Sequence, residues 1–304
     1  MTAPARPQGL RAGEGAEPGW REVFAVRRPG LVAAVVVSLA LATFGYAAVL
    51  LVVFDARSWW GSSLWRMAVA FGLAFAVIGA LGARRASDRR GLVAFLITSW
   101  GAITLVSWLP RQRPPQWPEL AQLGWWAGWV VVIYVSVPVA YALVTRQDLR
   151  SYGLRLGLFR GEARIFAILL PAILIGAYAA AGQPRFQAVY PFYGEWPDGP
   201  GSPAHLVAWW LMYAATFVAL EFFFRGFMVT AGFRIVGWWA IPAMAGAYCL
   251  LHLDKPVPEL VTSLFGGLLL GVVALRTRSI LAGVLAHVTL AVGTDAAVLL
   301  RRGG

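Results

Sequence analysis

Charge is the scarcest thing in this sequence. Asp, Glu, Lys and Arg make up 13% of the 304 residues, where a water-soluble domain carries about 25%, and that excludes an ordinary soluble fold. Acidic residues are the rarer sign, 14 against 26 basic ones, and His occurs three times. The single Cys249 excludes an intrachain disulfide and any cysteine-only metal cluster. No HExxH run occurs, so the helix that presents two His and a Glu to zinc is missing. No internal repeat of clear period occurs either, which leaves repeat-built transporter architectures without direct support.

What fills the chain instead is hydrocarbon. Hydrophobic residues reach 59% and the mean hydropathy is +0.67. Apolar windows near the ~20 residues needed to cross a bilayer as helix recur at about 31–54, 64–83, 91–109, 121–145, 165–182, 204–231, 238–253, 257–275 and 279–300. The expected fold is all-α, a polytopic transmembrane helical bundle with about 8–9 spans, the short 238–253 window being the candidate for a re-entrant piece. Trp pairs such as Trp59/Trp60, Trp125/Trp126, Trp209/Trp210 and Trp238/Trp239 sit near window ends, where amphipathic rings suit the headgroup level.

The net charge of +12 is spread over short linkers and is not gathered on one domain, so no nucleic-acid partner is expected and the lipid bilayer is. Basic residues concentrate in the N-terminal tail, in linker 84–90 (RRASDRR) and in 146–164, which the positive-inside rule assigns to the cytoplasm. Segments 55–63 and 183–203 fall outside. The expected location is a bacterial-type inner (plasma) membrane, multi-pass, with the N-terminus cytoplasmic and the first window an uncleaved anchor. Three regions follow: a disordered cytoplasmic tail, 1–30; N-terminal transmembrane scaffold helices, 31–182; and a helical core, 204–300.

That last region holds nearly all the ionisable groups found within apolar stretches. Such groups at bilayer depth are costly and are functional candidates by default. In VALEFFFRGFM, 218–228, Glu221 and Arg225 are four apart, share a helix face and can pair directly. The pair is either structural or a poised base for water. YCLLHLDKPVPEL, 248–260, sets His252 at a helix end before two prolines; freed backbone groups at that depth need protein or trapped water, which implies a polar cavity. Asp254 is placed to cap the next helix, and Glu259 to sit in its first turn. His287 and Asp295, eight apart in GVLAHVTLAVGTDAA, lie within about 80° of one helix face. Simple straight spans would leave Glu221 and His252 at different depths. Two His with carboxylates also suit zinc, although the candidates lie on three segments with no diagnostic spacing; no cofactor is required.

The order Glu-x-x-x-Arg-Gly, then aromatic-x-x-x-His, then a last helix with His resembles the CPBP family, the CAAX prenyl protease and bacteriocin-processing (Abi-type) group of intramembrane proteases. In that family the three motifs are Glu-Glu-x-x-x-Arg, Phe-x-x-x-His and His-x-x-x-Asn or Asp. The resemblance places Glu221 at the second Glu, Arg225 and Gly226 after it, Tyr248 and His252 on the second motif and His287 on the third. It implies that a glutamate and a His activate water for peptide hydrolysis, with His and Asn stabilising the oxyanion. Two positions depart: Leu220 stands at the first Glu and Ala291 at the Asn or Asp. Glu221 itself or Glu259 folding back would then be the base, and Asp295 would replace the third-motif acid. The runs EFFFRGFM, HLDKPVPE and LRTRSILAG also resemble the myxosortase-type branch, which trims C-terminal sorting tails.

The leading expectation is an intramembrane endopeptidase, glutamic-type or metal-assisted, cutting membrane-anchored or C-terminally processed proteins. Glu221, His252 and His287 are its catalytic candidates, and Arg225, Tyr248, Glu259 and Asp295 support them. A catalytically inactive CPBP-like scaffold and a small-solute transporter are the alternatives.

Overall fold

Uncharged runs of Val, Leu, Ala and Phe become helix in lipid because every backbone N–H and C=O must find its partner inside the segment. The computed structural model describes residues 29–84, 86, 88–154, 160–194 and 201–303. Almost all of the tail expected to be disordered, and its arginines, lie outside the described residues. Among the described residues there is no strand.

Ten helices carry the fold: α1 (Pro29–Ala48), α2 (Leu64–Ala83), α3 (Arg89–Trp108), α4 (Glu119–Thr145), α5 (Arg160–Ala180), α6 (Pro203–Glu221), α7 (Thr230–Val236), α8 (Ala240–Leu250), α9 (Val257–Thr277) and α10 (Leu281–Gly303). By length and composition, seven helical runs are long and apolar enough to cross a membrane, and α5 adds a shorter apolar stretch, Phe166–Ala180. One of the seven, Pro203–Leu250, is a folded run: it contains α6, α7 and the reversed α8.

The construction of that run positions everything that follows. Ser202 caps α6 by accepting from His205 N, and Pro203 opens it where no amide bond is lost. The helix then continues through a π-helical stretch, Phe222–Val229, into α7. At 1.5 Å per residue this run is about 50 Å long, with Glu221 and Arg225 near its middle. Gly237, at φ 64°, ends it in a conformation that glycine adopts freely, and α8 runs back along it.

Because α8 has only 11 residues, its far end reaches the level of the π stretch. The Tyr248 ring lies 5.1 Å from Phe224 and 4.6 Å from Arg225 Cζ. The long helix extends to Val236, past the window boundary at 231, and the reversal brings Tyr248, the start of the next motif, back beside Arg225. Pro256 and Pro258 start α9, with Glu259 in its first turn. Asp254 does not cap α9; it pairs with Arg111 at 2.7 Å.

Packing then closes around this hairpin. Gly267 and Gly271, four apart on α9, let the α8 backbone approach: a Cβ on Gly267 would lie 3.2 Å from Ala245 Cβ, and one on Gly271 3.0 Å from Ile241 Cγ2. α4 runs beside α6 and its π stretch, stacking Tyr134 on Phe223 and setting Tyr141 edge-on to Phe227. α10 lies against both α5 and α6. On the far side of α8, α1 and α2 bound an apolar groove of about 610 Å³.

Candidate active site

The site forms where the end of α6 and the π stretch that follows it, the end of α8 and the first turns of α10 meet. Glu221 and Arg225 are fully buried. Glu221 Oε1 lies 2.9 Å from Arg225 Nη1 and also 2.9 Å from His287 Nδ1. The carboxylate is thus held between a guanidinium on its own helix and an imidazole on another. A π-helical turn adds a residue to the helix and is found most often at functional sites; here all eight of its residues, Phe222 to Val229, are buried.

Two glycines make the arrangement possible. Gly283 faces the Glu221 carboxylate so closely that a methyl group there would overlap Oε2. Gly226, directly after Arg225, packs against the carbonyl of Tyr152, and its Cβ would come within 2.5 Å of that oxygen. This accounts for the glycine that follows the arginine in the sequence.

His287 is oriented at both ring nitrogens. Nδ1 lies 3.0 Å from the Gly283 carbonyl as well as beside Glu221, both acceptors, so Nδ1 carries the proton. Nε2 lies 2.9 Å from the Tyr248 hydroxyl. Phe217 stacks on the ring at 5.4 Å and 11°. One turn beyond Tyr248, His252 places its ring 4.9 Å from the Tyr248 ring, and its Nδ1 donates to the Tyr248 carbonyl at 3.1 Å. That leaves Nε2 of His252 as the acceptor. His252 sits in the turn after α8, and removal from water lowers its pKa to about 4; the charges of Lys255 and His287 push the same way, against the Tyr248 carbonyl and Asp254. It is neutral at pH 7.

Glu221, Arg225, Tyr248, His252 and His287 thus form one connected group. Glu259 and Asp295 are engaged elsewhere. Tyr190 Oη donates to Glu259 at 3.2 Å. Asp295, fully buried, accepts from Phe192 N at 3.1 Å and from Trp210 Nε1 at 3.0 Å. His287 and Asp295 both face α6, two turns apart, but they meet different partners, Phe217 and Trp210. Ala291 lies between them in a cluster with Trp209, Tyr213 and Tyr193, where an amide side chain would have to enter among rings. Together Glu259, Asp295, Glu119 and Arg302 anchor the 187–194 segment beside the site.

Sequence reasoning missed Gly283, Phe217 and this segment. Gly283 stands four residues before His287, on the same helix face, and that spacing was the available signal. Among the described residues, no group of three or more His, Cys, Asp and Glu is disposed to hold a metal ion.

The comparison with known families falls on this part of the chain. Residues 202–292 match a family model described as Type II CAAX prenyl endopeptidase Rce1-like. These residues form an Rce1-like domain. The domain runs from the cap of α6 into α10 and contains every member of the connected group. Rce1-like proteins are proteases, so the match supports a peptidase of the CAAX-type intramembrane family, CPBP, within a multi-pass membrane protein. No curated protein and no solved structure matches the chain.

Proposed function

We propose that the chain is an intramembrane endopeptidase that hydrolyses a peptide bond in a membrane-anchored protein, near the end of its C-terminal anchor. The observation that carries this is the contact chain Glu221–His287–Tyr248–His252 inside the Rce1-like domain. A buried carboxylate fixes one imidazole, and a second imidazole, neutral and with a free ring nitrogen, stands beside it.

In this reading His252 Nε2 takes a proton from water as the water oxygen attacks the scissile carbonyl. Glu221 is the residue that holds His287, and Arg225 balances its charge. Leu220 cannot supply a second carboxylate, which moves the base role to His252. The residues in these roles are carboxylate, guanidinium and imidazole groups, and no step runs through a metal. The N-terminus is placed in the cytoplasm by the basic linkers, and residues 31–182 act as the scaffold that holds the domain in lipid.

An inactive scaffold is the second reading, favoured by Leu220 and Ala291. Mapping of membrane-protein C-termini by mass spectrometry separates the two. Cells making the wild-type chain are expected to show new C-termini that disappear with Glu221→Gln and with His252→Ala at equal abundance. If both variants leave every C-terminus as the wild type does, the peptidase reading is wrong.

A further inference from the structure

Hydrolysis needs a hydrogen-bond donor for the oxygen that becomes negative as water attacks. The imidazole N–H groups of the site are occupied. His287 Nδ1–H is held by the Gly283 carbonyl and His252 Nδ1–H by the Tyr248 carbonyl, while the Arg225 guanidinium is ion-paired with Glu221 and lies over the face of the Tyr248 ring, its nitrogens making no hydrogen bond. The hydroxyl of Tyr248 is different. Its proton is directed to His287 Nε2 at 2.9 Å, and rotation about a single C–O bond can direct it elsewhere.

The ring that carries this hydroxyl is fixed from three sides. Phe224 presents at 5.1 Å, Arg225 Cζ lies 4.6 Å from its centroid, and the His252 ring is 4.9 Å away. The ring therefore stands beside that of the proposed base and its hydroxyl beside His287, and a guanidinium over the ring favours negative charge nearby. At the other end of the site, Ala291 offers no donor and is enclosed by Trp209 and Tyr213.

We infer that Tyr248 is a catalytic residue, its hydroxyl donating the hydrogen bond that stabilises the oxyanion of the tetrahedral intermediate. The inference rests on the peptidase reading above. In the first step the water oxygen bonds to the carbonyl carbon, the water proton passes to His252 Nε2, and the C=O π pair moves onto oxygen, where Tyr248 O–H turns to meet it. In the second step the carbonyl re-forms, the C–N bond breaks, and the amine takes the proton from His252. Tyr248 keeps its own proton throughout and returns to His287.

The test is Tyr248→Phe, which keeps the ring and removes only the oxygen. The purified chain in phosphatidylethanolamine and phosphatidylglycerol vesicles is assayed with a quenched-fluorescence peptide copied from a tail whose cleavage the terminal mapping finds. The expected result is a loss of about 10²-fold in kcat with KM within about twofold, as for removal of one oxyanion donor. Ring ¹⁵N resonances, from a chain with only three His, report the His287 bond independently of activity.

A variant that shifts the His287 resonance yet keeps more than half of kcat shows the phenol to be structural and overturns the inference. Should Tyr248→Phe lose its fold, biosynthetic difluorotyrosine at 248 keeps the ring and makes the phenol more acidic. It is then expected to bring the alkaline loss of rate to lower pH, and an unmoved alkaline limb overturns the inference. If Glu221→Gln and His252→Ala are inactive while Tyr248→Phe is not, this role alone falls. If all three match the wild type, the peptidase reading falls with it.

Discussion

The first helices and the last third are built from the same apolar residues but differ in what they bury. In the apolar window of α1, 17% of residues are buried, against 44% for the run that holds α6 to α8. α1 and α2 turn Val37, Leu41, Val77 and similar side chains outward and leave the apolar groove open against α8. The last third instead encloses Glu221, Arg225 and Asp295 completely. Lipid tails are as apolar as Leu, so lipid-facing helices gain little from close packing. Buried charges tolerate no such looseness, because each needs its partner at a fixed distance. The completely buried charges therefore sit where packing is tighter than around α1 and α2.

The sharpest way to break this contrast is to leave one of those charges alone. Arg225→Leu strands the Glu221 carboxylate in a site with no exposure, and removal of one partner of a buried pair costs about 3–5 kcal/mol. The expected outcome is a chain that is cleared from the membrane, read as steady-state abundance. Glu221→Gln with Arg225→Gln, which removes both charges, is expected to restore abundance without activity.

Gly283→Ala acts next. The added methyl overlaps Glu221 Oε2, so the carboxylate must turn away from His287. A displacement of about 1 Å at a reacting group can cost about 10²-fold in rate. That loss of cleavage, with abundance near normal, is the outcome to look for.

Acid tests His252 more mildly. With its pKa lowered from 6.5 to about 4, the imidazole stays neutral and able to accept a proton down to about pH 4. The rate is expected to hold between about pH 5 and 7 and to fall only below that, with no acid limb near 6.5. Stability moves the same way: the unfolded chain takes up the proton near 6.5, whereas the folded chain refuses it until about 4, so stability declines as pH falls between those values. Asp254→Asn, which removes a charge that favours protonation, is expected to move the limb slightly lower.

The spans were legible because lipid imposes one rule on every segment, and each of the nine apolar windows corresponds to a helical stretch. Glu221, Arg225 and His287 stood out because charge inside an apolar run is rare. Their depth did not. Hydropathy places a boundary near 231, whereas helical hydrogen bonding continues to Val236 through Arg234, and only the reversal at Gly237 puts Tyr248 beside Arg225. The partners of Asp295 and Glu259 come from the segment around Tyr190 and Phe192, which has no periodicity to read. A carboxylate eight residues beyond His287 looked like a substitute for the missing acid at 291, yet its bonds to Phe192 and Trp210 are tertiary contacts that no spacing encodes.

The weakest effect is expected at Gly246, and it completes the comparison because the change is the same glycine-to-alanine swap as at Gly283. Gly246 lines the groove on the α1 side of α8, two residues before Tyr248. A Cβ there would meet Thr43 Oγ1 at 3.5 Å and Leu39 Cδ1 at 3.7 Å, ordinary contact distances. Replacing glycine by alanine within a helix also favours the helix by about 1 kcal/mol. Gly246→Ala is therefore expected to leave cleavage within about twofold and to raise thermal stability slightly. A loss as large as that at Gly283 would mean that the loosely packed side of α8 controls the position of Tyr248, and the division between a tolerant lipid-facing region and a fixed charged centre would have to be redrawn through α8 itself.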